Sequence, residues 1–364
     1  MTGFAYTQRT RLVFGPGAIH AAGRHARELG FRRTLIVADS GMHKAGHVAT
    51  VLHALAEAGI ESSPWSNFDA NPDSLMVEHG RDFAEKLGVD SILGLGGGSS
   101  MDCAKGINFV LTNGGRIQDY WGYGKAAKPL LPMIGIPSTT GTGSEAQSHA
   151  LISDAETHVK MAIGAETAAF AVAILDPEVA LTQPRGVRAV AGYDAISHAV
   201  ESFVTTKRNA VSACYSREAW RLMNGSFEAL MREPDNVEAV AAMQLGAWFA
   251  GCAIEASMLG ATHALANPLT ARYGITHGQA IAAMLPHVVG WNAMPEYQEL
   301  HSDLAGRLAE LATAAGLSAR LRELHVEEER LEELAAAAAQ QWTGRYNPRP
   351  FDAAAALELY RCAY

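Results

Sequence analysis

Short runs of Val, Ile and Leu recur through the first half of the chain, at residues 34–39, 91–95, 132–136 and 172–175. Stretches of helix length separate them. An apolar run of four to six residues bounded by Gly, Pro or charged side chains predicts a strand buried on both faces. Alternation of such runs with helical stretches predicts a parallel, Rossmann-like sheet with crossover helices. Past Thr182-Gln183-Pro184-Arg185-Gly186 the strand runs stop. Ala- and Leu-rich segments then continue to the end, broken by Gly or Pro, as successive helices require. The pattern therefore predicts an α/β domain over 1–182 and an all-helical domain over 183–364. The alanine run at 335–339 fits a helix. The stretch Val240 to Ala261 comes nearest to a membrane span, but Gln244 and Glu255 interrupt it, which predicts a buried core helix.

The run at 91–95 leads into Gly96-Gly97-Gly98-Ser99-Ser100-Met101-Asp102-Cys103-Ala104-Lys105. This reads as a strand, a three-glycine turn and the first turns of a helix. Glycine lets the backbone approach an anion, and the free amides of a helix start favour pyrophosphate. The spacing is neither the alternating dinucleotide fingerprint nor a Walker loop. Phosphate binding and a plain tight turn both fit. Asp39 ends the first run, where a carboxylate can accept hydrogen bonds from a ribose diol and repel a 2′-phosphate. It can equally cap the helix that Asp39-Ser40-Gly41 would start. Pro137-Ser138-Thr139-Thr140-Gly141-Thr142-Gly143-Ser144-Glu145 is dense in hydroxyls and glycine. It suits a cofactor rim or a polar loop.

The helical half offers a second chemistry. Asp194 and His198 lie four apart, on one face of a helix and one turn from each other. His263 and His277 follow in another segment. One carboxylate and three imidazoles could hold a divalent first-row metal and leave a net positive centre that polarises an oxygen. Each residue alone reads as structural. The set gains weight from following the glycine turn by about one domain length.

At 364 residues, the chain has ample core for two domains without staples. A net charge of −9 with dispersed Lys and Arg argues against nucleic-acid and anionic-membrane partners. The four cysteines, at 103, 214, 252 and 362, form no ligand or disulfide spacing, so a reducing, cytoplasmic setting is expected. The first residues lack the basic start and apolar run of a signal peptide.

Together these motifs resemble the iron-containing (group III) alcohol dehydrogenases, whose fold is shared with dehydroquinate synthase. The resemblance runs from Phe14-Gly15-Pro16-Gly17 through Gly96–Lys105, Thr139–Glu145, Lys160-Met161, Asp176-Pro177 and the block Asp194–Glu201. It continues through the paired-His segment to Asn347-Pro348-Arg349-Pro350. It implies a dehydroquinate synthase-like fold and hydride transfer between a small alcohol or aldehyde and NAD, with NADP disfavoured. By position it implies Asp194, His198, His263 and His277 as ligands of iron or zinc, with His263 and His277 at the catalytic centre. It implies Gly97, Gly98 and Ser99 on the pyrophosphate, Asp39 on the ribose, and Gly96, Asp102, Thr139, Thr140 and Lys160 as further cofactor contacts. A homodimer is expected. Two rivals are a non-redox lyase of the same fold and a catalytically silent relative.

The chain departs from the family where many members carry a further His four residues after the third ligand. Asn267 stands there and cannot relay a proton near neutral pH. His149 replaces an aromatic or amide that usually faces substrate, so it is a candidate catalytic residue in its place. The plain alternative is a solvent-bonded strand histidine. Glu255 puts a carboxylate on a helix that reads as buried and needs a partner or a wet cavity. Trp342, before the Asn-Pro-Arg turn, is expected to line the substrate pocket.

Overall fold

The computed structural model describes residues 3–364, which divide into two compact units. The nucleotide-type unit comprises Thr7–Thr139 and Ser144–Gln183. The helical unit takes Pro184–Tyr364, and Thr140–Gly143 and the described residues up to Tyr6 also belong to it. The chain thus changes unit at Gln183–Pro184, but it also visits the helical unit for four residues in the middle of the first.

The first unit is built on a six-stranded parallel sheet. Its strands are β1 (Arg11–Phe14), β2 (Arg33–Ala38), β3 (Glu61–Trp65), β4 (Ser91–Gly96), β6 (Met133–Pro137) and β9 (Val172–Leu175). They lie in the order β1-β9-β6-β4-β2-β3. A second sheet joins β5 (Gly122–Tyr123), β8 (Lys160–Gly164) and β7 (His149–Ser153), the last pair antiparallel. The four central strands are the four apolar runs of the sequence. Side chains alternate between faces, as the two-residue strand period requires. Ile36, Leu93, Ile134 and Ile174 pack against Val48, Val51 and Leu55 on one face. Leu35, Val37, Ile92 and Met133 pack against Met101, Ile107 and Phe170 on the other.

The edge strands are not legible as apolar runs. β1 is half-exposed, and β3 reads Glu-Ser-Ser-Pro-Trp. An edge strand needs only one bonded neighbour, so it tolerates polar side chains and even Pro64. The chain leaves β2 toward β3 on one side, then returns to place β4 and β6 on the other. That reversal makes the carboxyl ends of β2 and β4 the switch point where open α/β sheets bind ligands.

After β9 no strand occurs among the described residues. The helix Val237–Ala256 is long and apolar enough to cross a membrane. It is instead largely buried, packed against Ala210–Arg232 and Arg185–Ser202. Close helix approach needs small residues at the crossings. A Cβ on Gly278 would lie 2.0 Å from the Val190 carbonyl oxygen, so the helix His277–Asn292 meets Arg185–Ser202 backbone to backbone there.

Candidate cofactor turn and metal centre

Three loops leave the carboxyl edge of the parallel sheet side by side, and they carry most of the residues expected to hold a cofactor. Asp39 follows β2, Gly97 and Gly98 follow β4, and Thr139 follows β6, whose Pro137 registers with Gly96. Gly96 has φ 140°, a conformation that suits glycine. A Cβ there would lie 2.3 Å from Ser100 Oγ and 2.9 Å from Asp39 Oδ2. The helix Gly98–Asn113 then starts at Gly97 with no side-chain cap, leaving its first amides open to an anion. Ser99 is half-buried, and its hydroxyl donates to the Ala70 carbonyl.

Asp39 caps a helix and also faces the glycine turn. Its Oδ1 accepts from Gly41 N at 2.7 Å and Met42 N at 3.1 Å, capping the helix Ser40–Lys44. Its Oδ2 stands 3.5 Å from the Ser100 hydroxyl, beside the glycine turn. A fixed negative charge therefore sits at the switch point.

Among the other expected contacts, Asp102 is bound within the protein. The Asp102 carboxylate accepts from Ser144 Oγ at 2.7 Å and Leu151 N at 3.2 Å, so it ties its helix to the next loop and to β7. Lys105, which belongs to the motif without an expected role, joins the same tie. Its ammonium is fully buried and donates to the carbonyls of Ser144, Gln147 and His149 at 2.7–2.8 Å. Neighbouring Glu145 is pushed up to about 7 by burial, with the Lys105 charge pulling the other way. Lys160 is exposed at the start of β8. Thr140 is buried with no hydrogen-bond partner for its hydroxyl. The glycines beside it are packing glycines: a Cβ on Gly141 would meet Ala191 at 2.6 Å, and one on Gly143 the Ala247 carbonyl oxygen at 2.7 Å.

His149 opens β7, half-buried opposite Gly164. Asn267 donates to Gln341 Oε1 at 3.0 Å, an amide pair with no titrating group. Trp342 is half-buried and meets Tyr346 edge-on, with ring centroids 6.2 Å apart.

In the helical unit, the four expected metal ligands converge. Asp194 and His198 project from one face of Arg185–Ser202, His263 from Ala261–Tyr273, and His277 from the first turn of its helix. The Asp194 Oδ1 lies 3.4 Å from His198 Nε2 and 3.6 Å from the Nε2 of both His263 and His277. A tetrahedral ion with bonds of about 2.1 Å holds its ligands about 3.4 Å apart. Asp194, His263 and His277 place ligand atoms within 4.8 Å of one another, and His198 reaches the same oxygen.

The polar atoms here fit a cation. Asp194 Oδ1 and His263 Nε2 are buried without a hydrogen-bond partner. Burial alone would push the Asp194 carboxyl up, but the surrounding imidazoles hold it well below the usual carboxylate range. Burial likewise opposes a charged His263, yet Asp194 and Glu201 outweigh it and raise that imidazole to about 9. Two carboxylates thus call for positive charge at one point, which a proton or a metal supplies.

Glu201 joins the site without having been singled out by its sequence motif. It is buried, with Oε2 2.5 Å from His263 Nδ1. A signal for it does exist: Asp194, His198 and Glu201 stand at i, i+4 and i+7, one stripe of one helix.

Comparisons with known proteins agree in both halves. Residues 9–177 match the family model described as iron-containing alcohol dehydrogenase, and residues 188–364 match the C-terminal model of the Fe-containing alcohol dehydrogenase family. The NAD-dependent methanol dehydrogenase of Bacillus methanolicus is 31% identical over 93% of each chain. A 1,3-propanediol dehydrogenase of Klebsiella pneumoniae is 32% identical over 96% of each. Among solved structures, a 1,3-propanediol oxidoreductase superposes with a TM-score of 0.95 at 29% identity, covering all of both chains.

Proposed function

Since the chain belongs to the iron-containing alcohol dehydrogenase family, we propose that it interconverts a small alcohol and its aldehyde with NAD. It is a metal-dependent alcohol/aldehyde oxidoreductase. The observation that carries the reading is the convergence of three Nε2 atoms on Asp194 Oδ1, each within 3.4–3.6 Å.

We assign Asp194, His198, His263 and His277 as the residues that hold iron or zinc. When bound, the cation polarises the substrate oxygen and lowers the alcohol pKa, while nicotinamide accepts or returns the hydride. The chain supplies position and charge. Gly97, Gly98 and Ser99 present the open helix start to pyrophosphate. Asp39 disfavours a 2′-phosphate, so NAD is preferred over NADP. Asp102 and Lys105 fix the Ser144–His149 segment from behind. The released proton needs an acceptor that titrates near neutrality. Asn267 is not one, and His149 is our candidate.

The test is an assay at 340 nm with iron- or zinc-loaded protein and a panel of primary alcohols and aldehydes, run beside His263→Ala. Wild type should turn over at least one pair with NAD(H). The variant should lose metal, by elemental analysis, and activity together. Full metal content in His263→Ala would overturn the ligand assignment.

A further inference from the structure

The helix that carries His263 starts without a cap of its own. Its N-cap is Gly260, which has no side chain to offer. A Cβ there would meet Asn347 Oδ1 at 3.0 Å and Glu201 Oε1 at 3.1 Å. Those same two oxygens take the orphan amides. Thr262 N donates to Glu201 Oε1 at 2.7 Å, and Ala261 N to Asn347 Oδ1 at 3.3 Å. Asn347 is itself held by Asn292, with side-chain bonds of 2.7 and 3.2 Å, and by the Arg349 carbonyl at 2.9 Å. Glu201 Oε2 then reaches the His263 ring at 2.5 Å from Nδ1. One carboxylate therefore grips both the backbone and the imidazole of this turn.

We propose that Glu201 is a positioning residue for the metal centre, fixing His263 in the tautomer that can ligate. A neutral imidazole carries one proton, on either nitrogen. A carboxylate at Nδ1 can only accept, so the proton stays on Nδ1 and the lone pair stays on Nε2, 3.6 Å from Asp194 Oδ1. The negative charge also strengthens Nε2 as a donor, and an outer partner of this kind changes metal affinity by roughly 10–100-fold. With Asp194, it brings two carboxylates to one dication, so the centre is closer to neutral than Asp194 alone would make it. The inference rests on the assignment of the four ligands above. It also explains the place of the Asn347-Pro348-Arg349-Pro350 segment, since Asn347 braces the helix start from the other side.

Glu201→Gln separates this role from helix capping. The amide oxygen can still accept from Thr262 N, but its NH₂ would face Nδ1 and donate to it, which moves the imidazole proton to Nε2. Zinc affinity by chelator competition, measured on variant protein that circular dichroism shows to be folded, should fall about 10–100-fold. His263→Ala, measured alongside, tests the ligand assignment itself. If that variant keeps its metal, the metal reading fails. If it loses metal while Glu201→Gln binds as wild type does, Glu201 is only a cap and this inference fails. A measurement on zinc-loaded wild type needs no folded variant: ¹⁵N shifts of His263 should show the proton on Nδ1, and a proton on Nε2 would overturn the proposal.

Discussion

A dehydrogenase must dispose of the alcohol proton, and single residues decide how this chain does so. Asn267 is bound to Gln341 and cannot change charge. His149→Phe should therefore lower kcat by about 10²-fold or shift its pH profile, the usual size of a lost acid–base group. Metal content and the NAD dissociation constant should stay unchanged, because the imidazole is assigned to neither site. A kinetically silent variant would mean that the proton leaves through water. Asp39 poses a different question, since one side chain both caps a helix and carries the charge at the switch point. Repulsion of a 2′-phosphate by that charge is worth roughly 1–3 kcal/mol, about tenfold or more in affinity. Asp39→Asn keeps an acceptor for Gly41 and Met42, whereas Asp39→Gly removes cap and charge together. Both should lower the NADP(H) KM about tenfold, and only the glycine variant should also lower the melting temperature, by the loss of a cap worth about 1 kcal/mol. A wild-type enzyme that already favours NADP(H) would sink this assignment.

Among the elements, what can be seen in the sequence follows from what each one buries. β2, β4, β6 and β9 are buried along almost their whole length, so apart from Arg33, Thr34 and Ser91 at their starts they are apolar and stand out. β1 and β3 lie at the sheet edges and carry Arg11, Ser62, Ser63 and Pro64, which no apolar run announces. β7 alternates half-buried and buried positions over only five residues, too short to separate from a loop. The proposed metal ligands are legible because helical spacing puts Asp194 and His198 together, and the family pattern supplies the other two. Glu201 continues the same stripe, but its role stays hidden because its partner, His263, is 62 residues away. Lys105 is invisible as an anchor for a related reason. Its acceptors are mostly backbone carbonyls about 40 residues on, and carbonyls leave no trace in residue identity. In the Thr140–Gly143 loop, Gly141 and Gly143 are small because helices crowd them, a packing need that residue identity alone does not separate from a cofactor rim.

For the molecule as a whole, the residues proposed for the two kinds of ligand belong to different units, and each ligand should stiffen its own. Asp194, His198, His263 and His277 all lie within Pro184–Tyr364, on three helices that a shared ion would tie together. Asp39 and the glycine turn lie within the other unit. A ligand at 100 times its dissociation constant stabilises the state that binds it by about 2.7 kcal/mol. That corresponds to roughly a hundredfold slowing of amide exchange wherever opening requires release of the ligand. Zinc loading should accordingly protect peptides from 185–202 and 261–292 and leave those from 33–42 and 91–100 at their metal-free rates. NAD should do the reverse, with its protection centred on the amides after Asp39 and Gly97. Hydrogen-exchange mass spectrometry of the whole chain, with and without each ligand, reads both patterns at once. Metal protection that fell on the strand–turn peptides instead would place the ion outside the helical unit. The four-residue cluster would then have to be read as a buried hydrogen-bond network.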